Sequence, residues 1–357
     1  MLGPRVARQR EEPAVQFGLL YDFRNPPRWA VPPARLYAET FDQIRTAEEL
    51  GWDSVWVTEH HFTDDGYLPD VNAAAAAIAA ITERVRIGHS VLLLPLHHPL
   101  RVAEAGAVID IISNGRFIFG PGLGYKVDEF EAFGIDRRHR GRLMDESMEL
   151  ITRAWTQERF SFEGRHFRVR DLAVTPRPVQ RPRPPIWMAA RAEAPLRRAA
   201  RYADGVIAVG SPELIGMYRG FVAEAGKDPD AAQVAVLRSV VVSDDPERAW
   251  VEVQEHVRWR GERYGAWYGE AGDLPQDMQW GERLRAGADP AGRMESLVKT
   301  VPQVIADVEE LERIGVDCVI FFATFPGYPP GMMLPTWEAI AREVIPRFRR
   351  HREERSA

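Results

Sequence analysis

Short apolar runs alternate with stretches of helical periodicity along most of the chain. The apolar runs have the length of buried strands, and the other stretches repeat an apolar residue every three or four positions, as amphipathic helices do. The predicted strands are 15–21, 55–57, 85–94, 116–120, 186–190, 205–209, 234–242 and 318–322. The predicted helices are 34–50, 71–82, 99–112, 138–155, 194–203, 244–268, 301–314 and 335–350, with one more between 209 and 234.

This alternation with short connections is typical of βαβ units and a parallel sheet. Counting the strand–helix pairs gives eight, which predicts an α/β fold of the (β/α)8 TIM-barrel type. We expect one barrel domain over residues 13–351, a disordered leader at 1–12 and a short tail at 352–357.

Two insertions interrupt the repeat. Residues 159–185 combine an alternating stretch, turned at Glu163-Gly164, with a proline-dense linker, and this predicts a β-hairpin outside the barrel. Residues 269–292 contain five glycines, two prolines and many charges without periodicity. A structureless stretch of this length in a compact domain is usually a lid or disordered, so we expect a long lid loop over the barrel mouth.

Composition narrows the class of protein. The chain has 357 residues, of which 45% are hydrophobic, and its formal charge of −6 argues against a nucleic-acid surface. Its one cysteine, Cys318, lies in an apolar run and excludes a disulfide framework or a cysteine-based zinc site. The longest apolar run, 71–81, is too short to span a bilayer, and no signal peptide precedes it. A cytoplasmic protein is expected.

The most informative stretch is Glu59-His60-His61, which follows a buried strand directly. In a parallel barrel the carboxyl ends of the strands carry the chemistry, because their loops converge on one mouth. Histidine titrates near neutrality and can act as a general acid or base. Adjacent side chains point to opposite sides, so at most one of the two histidines is expected to face the mouth, and a metal pair is disfavoured. His97 and His98 precede Pro99, at the start of a predicted helix. Polar loop residues at a helix start are about as well supported an interpretation as residues of an active site.

Two other strand ends carry small residues. Gly88-His89-Ser90-Val91 interrupts a bulky strand, as a barrel wall approached closely by a flat ligand would require, although a packing gap gives the same pattern. The glycine-rich stretch 120–125 follows the next strand and lets the backbone approach a ligand closely. It lacks the third glycine and the later acidic residue of a dinucleotide fingerprint.

A fourth strand end, Ala190-Arg191-Ala192-Glu193, opens a helix. A helix N-terminus beside an arginine is suited to binding an anion, and Arg142 on the preceding long helix supplies a second guanidinium. A solvated arginine on a helix face is the commoner alternative for either side chain.

Taken together, these stretches resemble the bacterial-luciferase-like flavin-dependent monooxygenases. The resemblance covers residues from about 15 to 210 and is carried by the stretches 56–63, 94–104, 113–117, 124–125, 129–130 and 133–134. It implies a (β/α)8 barrel with a mobile lid. It also implies that reduced FMN binds at the mouth and that O2 forms a flavin peroxide, which oxygenates a small organic substrate. A separate reductase would supply the reduced flavin, and a homodimer is expected.

The resemblance also assigns roles to residues. His60 matches the catalytic histidine of the family, with Glu59 beside it. The cofactor-binding positions match Ser90, Val91, Gly122, Leu123, Tyr125, Arg142, Ala190, Arg191 and Ala192. No metal ligand is implied. The bond between Ser90 and Val91 falls where the family often has a non-prolyl cis peptide against the flavin.

One position departs from the family. Several members place a serine hydroxyl on the flavin phosphate where this chain has Ala192. Phosphate binding would then depend on backbone N–H groups, Arg191 and Arg142. Relatives with this fold use a deazaflavin for hydride transfer, which is one alternative. The other alternative is that the protein is a non-catalytic barrel subunit. The intact Glu59-His60-His61 stretch argues against this alternative.

Overall fold

The structure is a computed structural model that describes residues 15–208, 210–272 and 290–349. The predicted leader and tail, and most of the predicted lid loop, lie outside these residues. Among the helices it describes, each one is too short or too polar to cross a membrane.

Eight parallel strands form the central sheet. They are β1 (Gln16–Tyr21), β2 (Ser54–Val57), β3 (Arg86–His89), β4 (Phe117–Ile118), β5 (Trp187–Ala189), β6 (Gly205–Ala208), β7 (Gln233–Arg238) and β8 (Cys318–Phe322). Their spatial order is β4-β3-β2-β1-β8-β7-β6-β5. A parallel bridge between Phe119 and Ile186 joins the two outer strands, with Phe119 N–H donating to Pro185 O at 2.8 Å. The predicted TIM barrel is therefore confirmed.

The helices pack around this barrel. They are α1 (Pro33–Leu50), α2 (Val71–Ile81), α3 (Pro99–Ile112), α4 (Val127–Ala132), α5 (Arg140–Thr156), α6 (Glu193–Tyr202), α7 (Pro212–Glu224), α8 (Pro246–Ala271), α9 (Pro290–Leu297), α10 (Val301–Arg313) and α11 (Leu334–Ala339), the last continued by a π-helical turn at Ile340–Val344. Their apolar faces meet the outward side chains of the strands, so that Phe17, Val55 and Ile87 are fully buried.

Two stacked tryptophans lie in the barrel interior, packed among smaller buried residues such as Leu20, Ile118 and Ile320. Trp56 on β2 stacks on Trp187 on β5, with ring centroids 5.4 Å apart. Gly18 and Gly88 flank Trp56, and a Cβ atom at Gly88 would lie 2.2 Å from its ring. Gly88 therefore makes room for the indole of Trp56. At this position of β3, the small residue is explained by packing inside the barrel.

Two segments differ from the prediction in detail, and one agrees with it. The predicted strand 85–94 is broken after β3 by a cis peptide between Ser90 and Val91, and a short strand, Leu92–Leu93, then pairs with Pro121–Gly122. The predicted hairpin is present, with Phe160–Glu163 antiparallel to Arg168–Leu172. At the predicted lid, α8 continues to Ala271 and α9 begins at Pro290, so both ends of the segment 269–292 are helical.

Candidate active site

His60 lies at the barrel mouth, in the loop that follows β2. Its side chain is 5% exposed because aromatic rings enclose it. The ring centroids of Tyr67, Trp267, Tyr125 and Tyr264 lie 4.8, 5.0, 5.4 and 6.1 Å from that of His60. The backbone N–H of His60 donates to Leu68 O at 3.2 Å, which fixes the loop.

Both ring nitrogens of His60 have polar neighbours. Nδ1 lies 2.9 Å from Oε1 of Glu129, and Nε2 lies 3.1 Å from the Tyr125 hydroxyl. Oε1 of Glu129 also accepts the backbone N–H of His61 at 2.8 Å, so it acts as an acceptor and Nδ1 is the donor. Burial raises the pKa of Tyr125 well above its usual range, which keeps its hydroxyl protonated. Nε2 is therefore left as a proton acceptor facing a phenol.

His61 takes a different direction, as expected for adjacent histidines. Its Nε2 lies 2.6 Å from Oε1 of Glu59, and Nε2 of His97 lies 2.6 Å from the same oxygen. The other oxygen of Glu59 accepts the Leu93 N–H at 2.7 Å. Burial favours a higher pKa for Glu59, but the hydrogen bonds from His61 and His97 outweigh it and lower this pKa to about 2. Glu59 is thus ionised near neutral pH, and it ties the strand end to the start of α3.

The sequence offered no third ligand for a metal beside these residues, but the fold brings His97 to Glu59 and His61. Their ligand atoms lie within 4.8 Å of one another, a spacing at which a metal ion can bind. The hydrogen bonds within the trio pair these atoms, and we do not assign a metal to them. His98, in contrast, accepts the Leu100 N–H at 3.3 Å and caps α3.

Helix α8 covers His60 from the solvent side. Tyr268 stacks on Tyr125 with ring centroids 4.0 Å apart, and Trp267 packs against His60. Arg137 holds the end of the helix, donating from Nη2 to Ala271 O at 2.9 Å. Among the described residues, the cover over the mouth is therefore helical and begins before the stretch in which the sequence placed the lid.

The predicted flavin wall lies at the ends of β3 and β4. Gly122 packs directly on Val91, since a Cβ atom at Gly122 would lie 2.3 Å from a methyl group of Val91. Ser90 is buried, and its hydroxyl has no partner among the residues that the structure describes. Leu123 is partly buried against the core. A buried hydroxyl without a partner beside a close backbone approach fits a flat, polar-edged cofactor.

The predicted phosphate site lies at the starts of α5 and α6. Arg142 is exposed in the first turn of α5, Ala192 is the N-cap of α6 without a side-chain hydrogen bond, and Arg191 is exposed just before it. Arg198 on α6 pairs with Asp145 on α5, Nε to Oδ1 at 2.6 Å, which joins the second turns of the two helices. Ala190 is buried at the end of β5.

The fold thus brings together His60, Tyr125 and the predicted wall. The sequence analysis gave no role to Glu129, whose carboxylate is fully buried in the structure. It also did not predict α4, the helix that carries Glu129. It also missed the rings from α8, because Tyr264, Trp267 and Tyr268 were assigned only to a helix. Their helical spacing of i, i+3 and i+4 was the signal that they share a face.

Comparison with known proteins identifies the class. The sequence profile described as luciferase-like monooxygenase matches residues 15–318. The chain belongs to the luciferase-like monooxygenase family.

Three sequence relatives and one solved structure are similar over most or much of the chain. The flavin-dependent trigonelline monooxygenase, oxygenase component, of Acinetobacter baylyi is 26% identical over 336 residues, which cover 90% of this chain and 92% of the relative. Two uncharacterised proteins of Sinorhizobium fredii are 29% and 32% identical over 59% and 61% of this chain. Those matches span 62% and 65% of the two relatives, less than two thirds of their length. The monooxygenase RslO1 of Streptomyces bottropensis superposes with a TM-score of 0.79 at 27% identity, over 94% of this chain and 100% of that one.

A relative with another cofactor is also similar. The F420-dependent glucose-6-phosphate dehydrogenase of Amycolatopsis mediterranei is 34% identical over 168 residues, which cover 45% of this chain and 50% of the relative. Membership of the family therefore establishes the fold. It does not distinguish FMN from a deazaflavin, because relatives use different cofactors.

Proposed function

We propose that the protein is the oxygenase component of a two-component monooxygenase. It takes reduced FMN from a separate reductase and uses O2 to place one oxygen atom on a small organic substrate, the other oxygen leaving as water. The relative named as an oxygenase component supports this, because its similarity extends over 90% of this chain and 92% of its own length.

The observation that carries the proposal is the setting of His60. The imidazole is buried at the mouth, oriented by Glu129 on Nδ1 and in contact with the Tyr125 hydroxyl on Nε2. A histidine that is held in one tautomer, with its second nitrogen on a phenol hydroxyl, is arranged to exchange a proton in general acid–base catalysis. In this proposal Nε2 takes or returns the proton that the oxygen transfer requires, and the Tyr125 hydroxyl shares it.

The residues that would hold FMN are those at the ends of β3, β4 and β5. Ser90, Val91, Gly122 and Leu123 would form the wall against the ring, and Arg142, Arg191 and the backbone N–H groups that begin at Ala192 would bind the phosphate. Reduced FMN, when bound, supplies the electrons that activate O2. Glu59 holds the strand end through His61 and His97 and acts at a distance from that chemistry.

The aromatic side chains of α8 would keep water away from His60. Trp267 and Tyr268 cover His60 and Tyr125, and excluding water from such a site limits side reactions and strengthens the electrostatic interactions inside it.

A deazaflavin-dependent hydride transfer is the second candidate, favoured by the F420-dependent relative. That match covers 50% of the relative, whereas the match to the oxygenase component covers 92% of its length. We therefore rank monooxygenation first. The third alternative, a non-catalytic subunit, is disfavoured by the complete set of polar contacts around His60.

We also propose a homodimer in the cytoplasm. Val108, Ile111 and Ile112 on one face of α3 are 42%, 39% and 44% exposed, and exposed apolar patches of this kind mark association surfaces. The one cysteine, Cys318, is buried and unpaired, in agreement with a reducing compartment. Light scattering of the purified protein measures the mass directly.

The test of function is anaerobic titration with chemically reduced FMN and with a reduced deazaflavin, followed by mixing with O2. We expect tighter binding of reduced FMN and rapid O2 consumption by the complex. A stronger preference for the deazaflavin, with no reaction with O2, would assign the protein to hydride transfer instead.

A further inference from the structure

A cavity of about 400 Å³ lies on the outer side of the barrel, between the carboxyl ends of β6 and β7 and helix α10. Val319 and Phe321 of β8 line it and pack outward among the helices, whereas the alternating Cys318 and Ile320 pack inside the barrel. The strands therefore separate this cavity from the barrel interior, and the predicted flavin wall lies at other strands, β3 to β5. Its volume falls within the range of small-molecule sites, roughly 300–1,000 Å³.

The end of β7 presents hydrogen-bond donors to the cavity. Nη1 of Arg238, the last residue of the strand, donates to Leu237 O at 2.9 Å. Nε and Nη2 of Arg238 have no hydrogen-bond partner among the residues that the structure describes, and neither atom is closed off from solvent. The adjacent Ser239 hydroxyl accepts an N–H of Arg260 at 2.8 Å and keeps its own hydrogen to donate. These donors are open to a ligand in the cavity.

Arg238 also has no counter-ion, since it forms no ion pair with a carboxylate in the described part of the chain. Two carboxylates line the same cavity, but each has a cation of its own. Asp307 pairs with Lys299, and Glu310 pairs with Arg313. Burial lowers the pKa of Arg238, and the charge of Asp307 acts against this. A cation that is partly removed from water without a counter-ion costs free energy, which a bound anion would offset.

A second cation reaches the same end of the cavity. Beyond β7 the chain forms a short parallel pairing of 241–242 with 298–299, and this brings Lys299 beside the continuation of the strand. The Lys299 side chain is 19% exposed. Its ammonium group has three N–H donors, of which Asp307 accepts one. The other two remain for a ligand that also contacts Arg238.

The walls of the cavity are aliphatic. Val304, Val308 and Leu311 are buried on one face of α10, at the i, i+4 and i+7 positions. The remaining apolar lining comes from Pro212, Val240, Ile314, Val319 and Phe321. Apolar walls with donors and cations grouped at one end fit a ligand that has an apolar body and an anionic head.

We propose that this cavity binds an organic acid with a short alkyl chain. The carboxylate would accept from Arg238 and Lys299, and the chain would lie along the aliphatic face of α10. The site goes beyond the proposed function, because it is separate from the flavin wall and from His60 and no step of the oxygenation uses it.

The test is isothermal titration calorimetry of the purified protein with three probes of equal chain length: octanoate, octan-1-ol and octylamine. We expect octanoate to bind at least about tenfold more tightly than the other two, since charge-assisted hydrogen bonds are the strong ones. Arg238→Met should remove this advantage. Arg45→Met is the matched control, because Arg45 is exposed on α1, pairs with Asp42 and does not line the cavity.

A second variant covers the case in which Arg238→Met fails to fold, as circular dichroism would show. Ala306 is exposed on α10 and lines the cavity, so Ala306→Trp obstructs the cavity from its rim without entering the core. It should weaken octanoate binding by about tenfold or more, because the indole takes the place of the alkyl chain. Ala223→Trp is its control, since Ala223 is exposed on α7 and lies outside the cavity lining.

Three results would overturn the proposal. Tightest binding of octylamine, lost in Asp307→Asn, would reverse the charge of the ligand. Binding of inorganic phosphate as tight as that of octanoate would reject the alkyl chain. Absence of octanoate binding, or binding that both Arg238→Met and Ala306→Trp leave unchanged, would reject the site itself. Titration of the same samples with reduced FMN reports on the proposed function, so failure of one proposal is distinguishable from failure of the other.

Discussion

Nδ1 of His60 lies 2.9 Å from Oε1 of Glu129, a residue 69 positions further along the chain. The same oxygen accepts the backbone N–H of His61 at 2.8 Å. One buried carboxylate therefore orients both the His60 imidazole and the backbone beside it, and it comes from a helix outside the strand–helix repeat of the barrel.

Replacing this carboxylate should slow the reaction without emptying the flavin site. In Glu129→Gln the amide oxygen can still accept both hydrogen bonds, but the charge that favours one tautomer of His60 is lost. Loss of a partner that orients a metal-binding side chain typically costs about 10–100-fold in activity, and we expect a fall of similar size in turnover here. Rapid-reaction kinetics with reduced FMN measure it. An unchanged affinity for reduced FMN is the control, and an unchanged rate would show that Glu129 does not act through His60.

The two adjacent histidines should behave differently. His60→Ala removes the proposed acid–base group, which typically contributes about 10²–10⁴-fold, so turnover should fall by about this factor. His61→Ala is the matched control, because His61 contacts Glu59 and lies outside the aromatic enclosure of His60. It should lower stability more than turnover. Equal losses of turnover in both variants would contradict the assignment of His60.

The barrel itself was predictable because its signals are local. Each strand is a short apolar run and each major helix has its own periodicity, and a chain of eight such pairs closes in only one common way. The Glu59-His60-His61 stretch could be placed at the mouth for the same reason, since the end of a strand is visible in sequence.

The partners of these residues were not predictable from one sequence. Glu129 reaches His60 from α4, a helix of six residues without a clear periodic pattern. His97 reaches Glu59 because the strand after β3 breaks at Ser90 and Val91, and the direction of the chain beyond that break depends on the fold as a whole. The role of α8 was missed for another reason, since aromatic residues on a helix face are ordinarily core.

Arg142 and Arg191 are predicted to bind the flavin phosphate. A hydrogen bond to a charged group contributes roughly 1.5–3 kcal/mol, so Arg142→Ala or Arg191→Ala should weaken FMN binding about tenfold or more. Riboflavin lacks the phosphate and is the matched control ligand. Fluorescence titration with both flavins measures the two affinities, and equal losses for FMN and riboflavin would exclude a phosphate contact.

Gly88→Ala should destabilise the barrel through its interior. The added Cβ would lie 2.2 Å from the ring of Trp56, which is itself stacked on Trp187. Overpacking of a filled core costs about 1–3 kcal/mol, and urea unfolding should show a loss of this size. Gly216→Ala is the control, because Gly216 is exposed on α7 with no atom within 4 Å of a new Cβ. This change should stabilise by roughly 0.5–1 kcal/mol.

The pair of Glu59 and His97 should make stability depend on pH in a defined direction. Burial lowers the pKa of His97, but the hydrogen bond to Glu59 and its charge outweigh this and raise the pKa above the ordinary 6.5. The folded state therefore holds this proton more tightly than the unfolded state. The resulting stabilisation is complete below about pH 6.5 and is lost as the pH rises through the folded pKa of His97.

The carboxylate sets the acid limit of the same window. Glu59 has a folded pKa of about 2 against an ordinary 4.5, so its contribution is present above pH 4.5 and is lost as the pH falls toward 2. Both contributions are complete between these limits. His97→Gln should accordingly lower the free energy of unfolding most near pH 5.5, and by progressively less toward pH 9.

Urea unfolding of wild type and His97→Gln at pH 5.5, 7 and 9 measures this difference. His98→Gln is the control, because the neighbouring His98 is exposed and contacts the Leu100 N–H in place of a carboxylate. Its effect should stay nearly constant across the same range. If the stability difference between wild type and His97→Gln is the same at pH 5.5 and pH 9, the ion pair between His97 and Glu59 does not form in solution. The contacts of Glu59 that hold the end of β2 are then those with His61 and Leu93 alone.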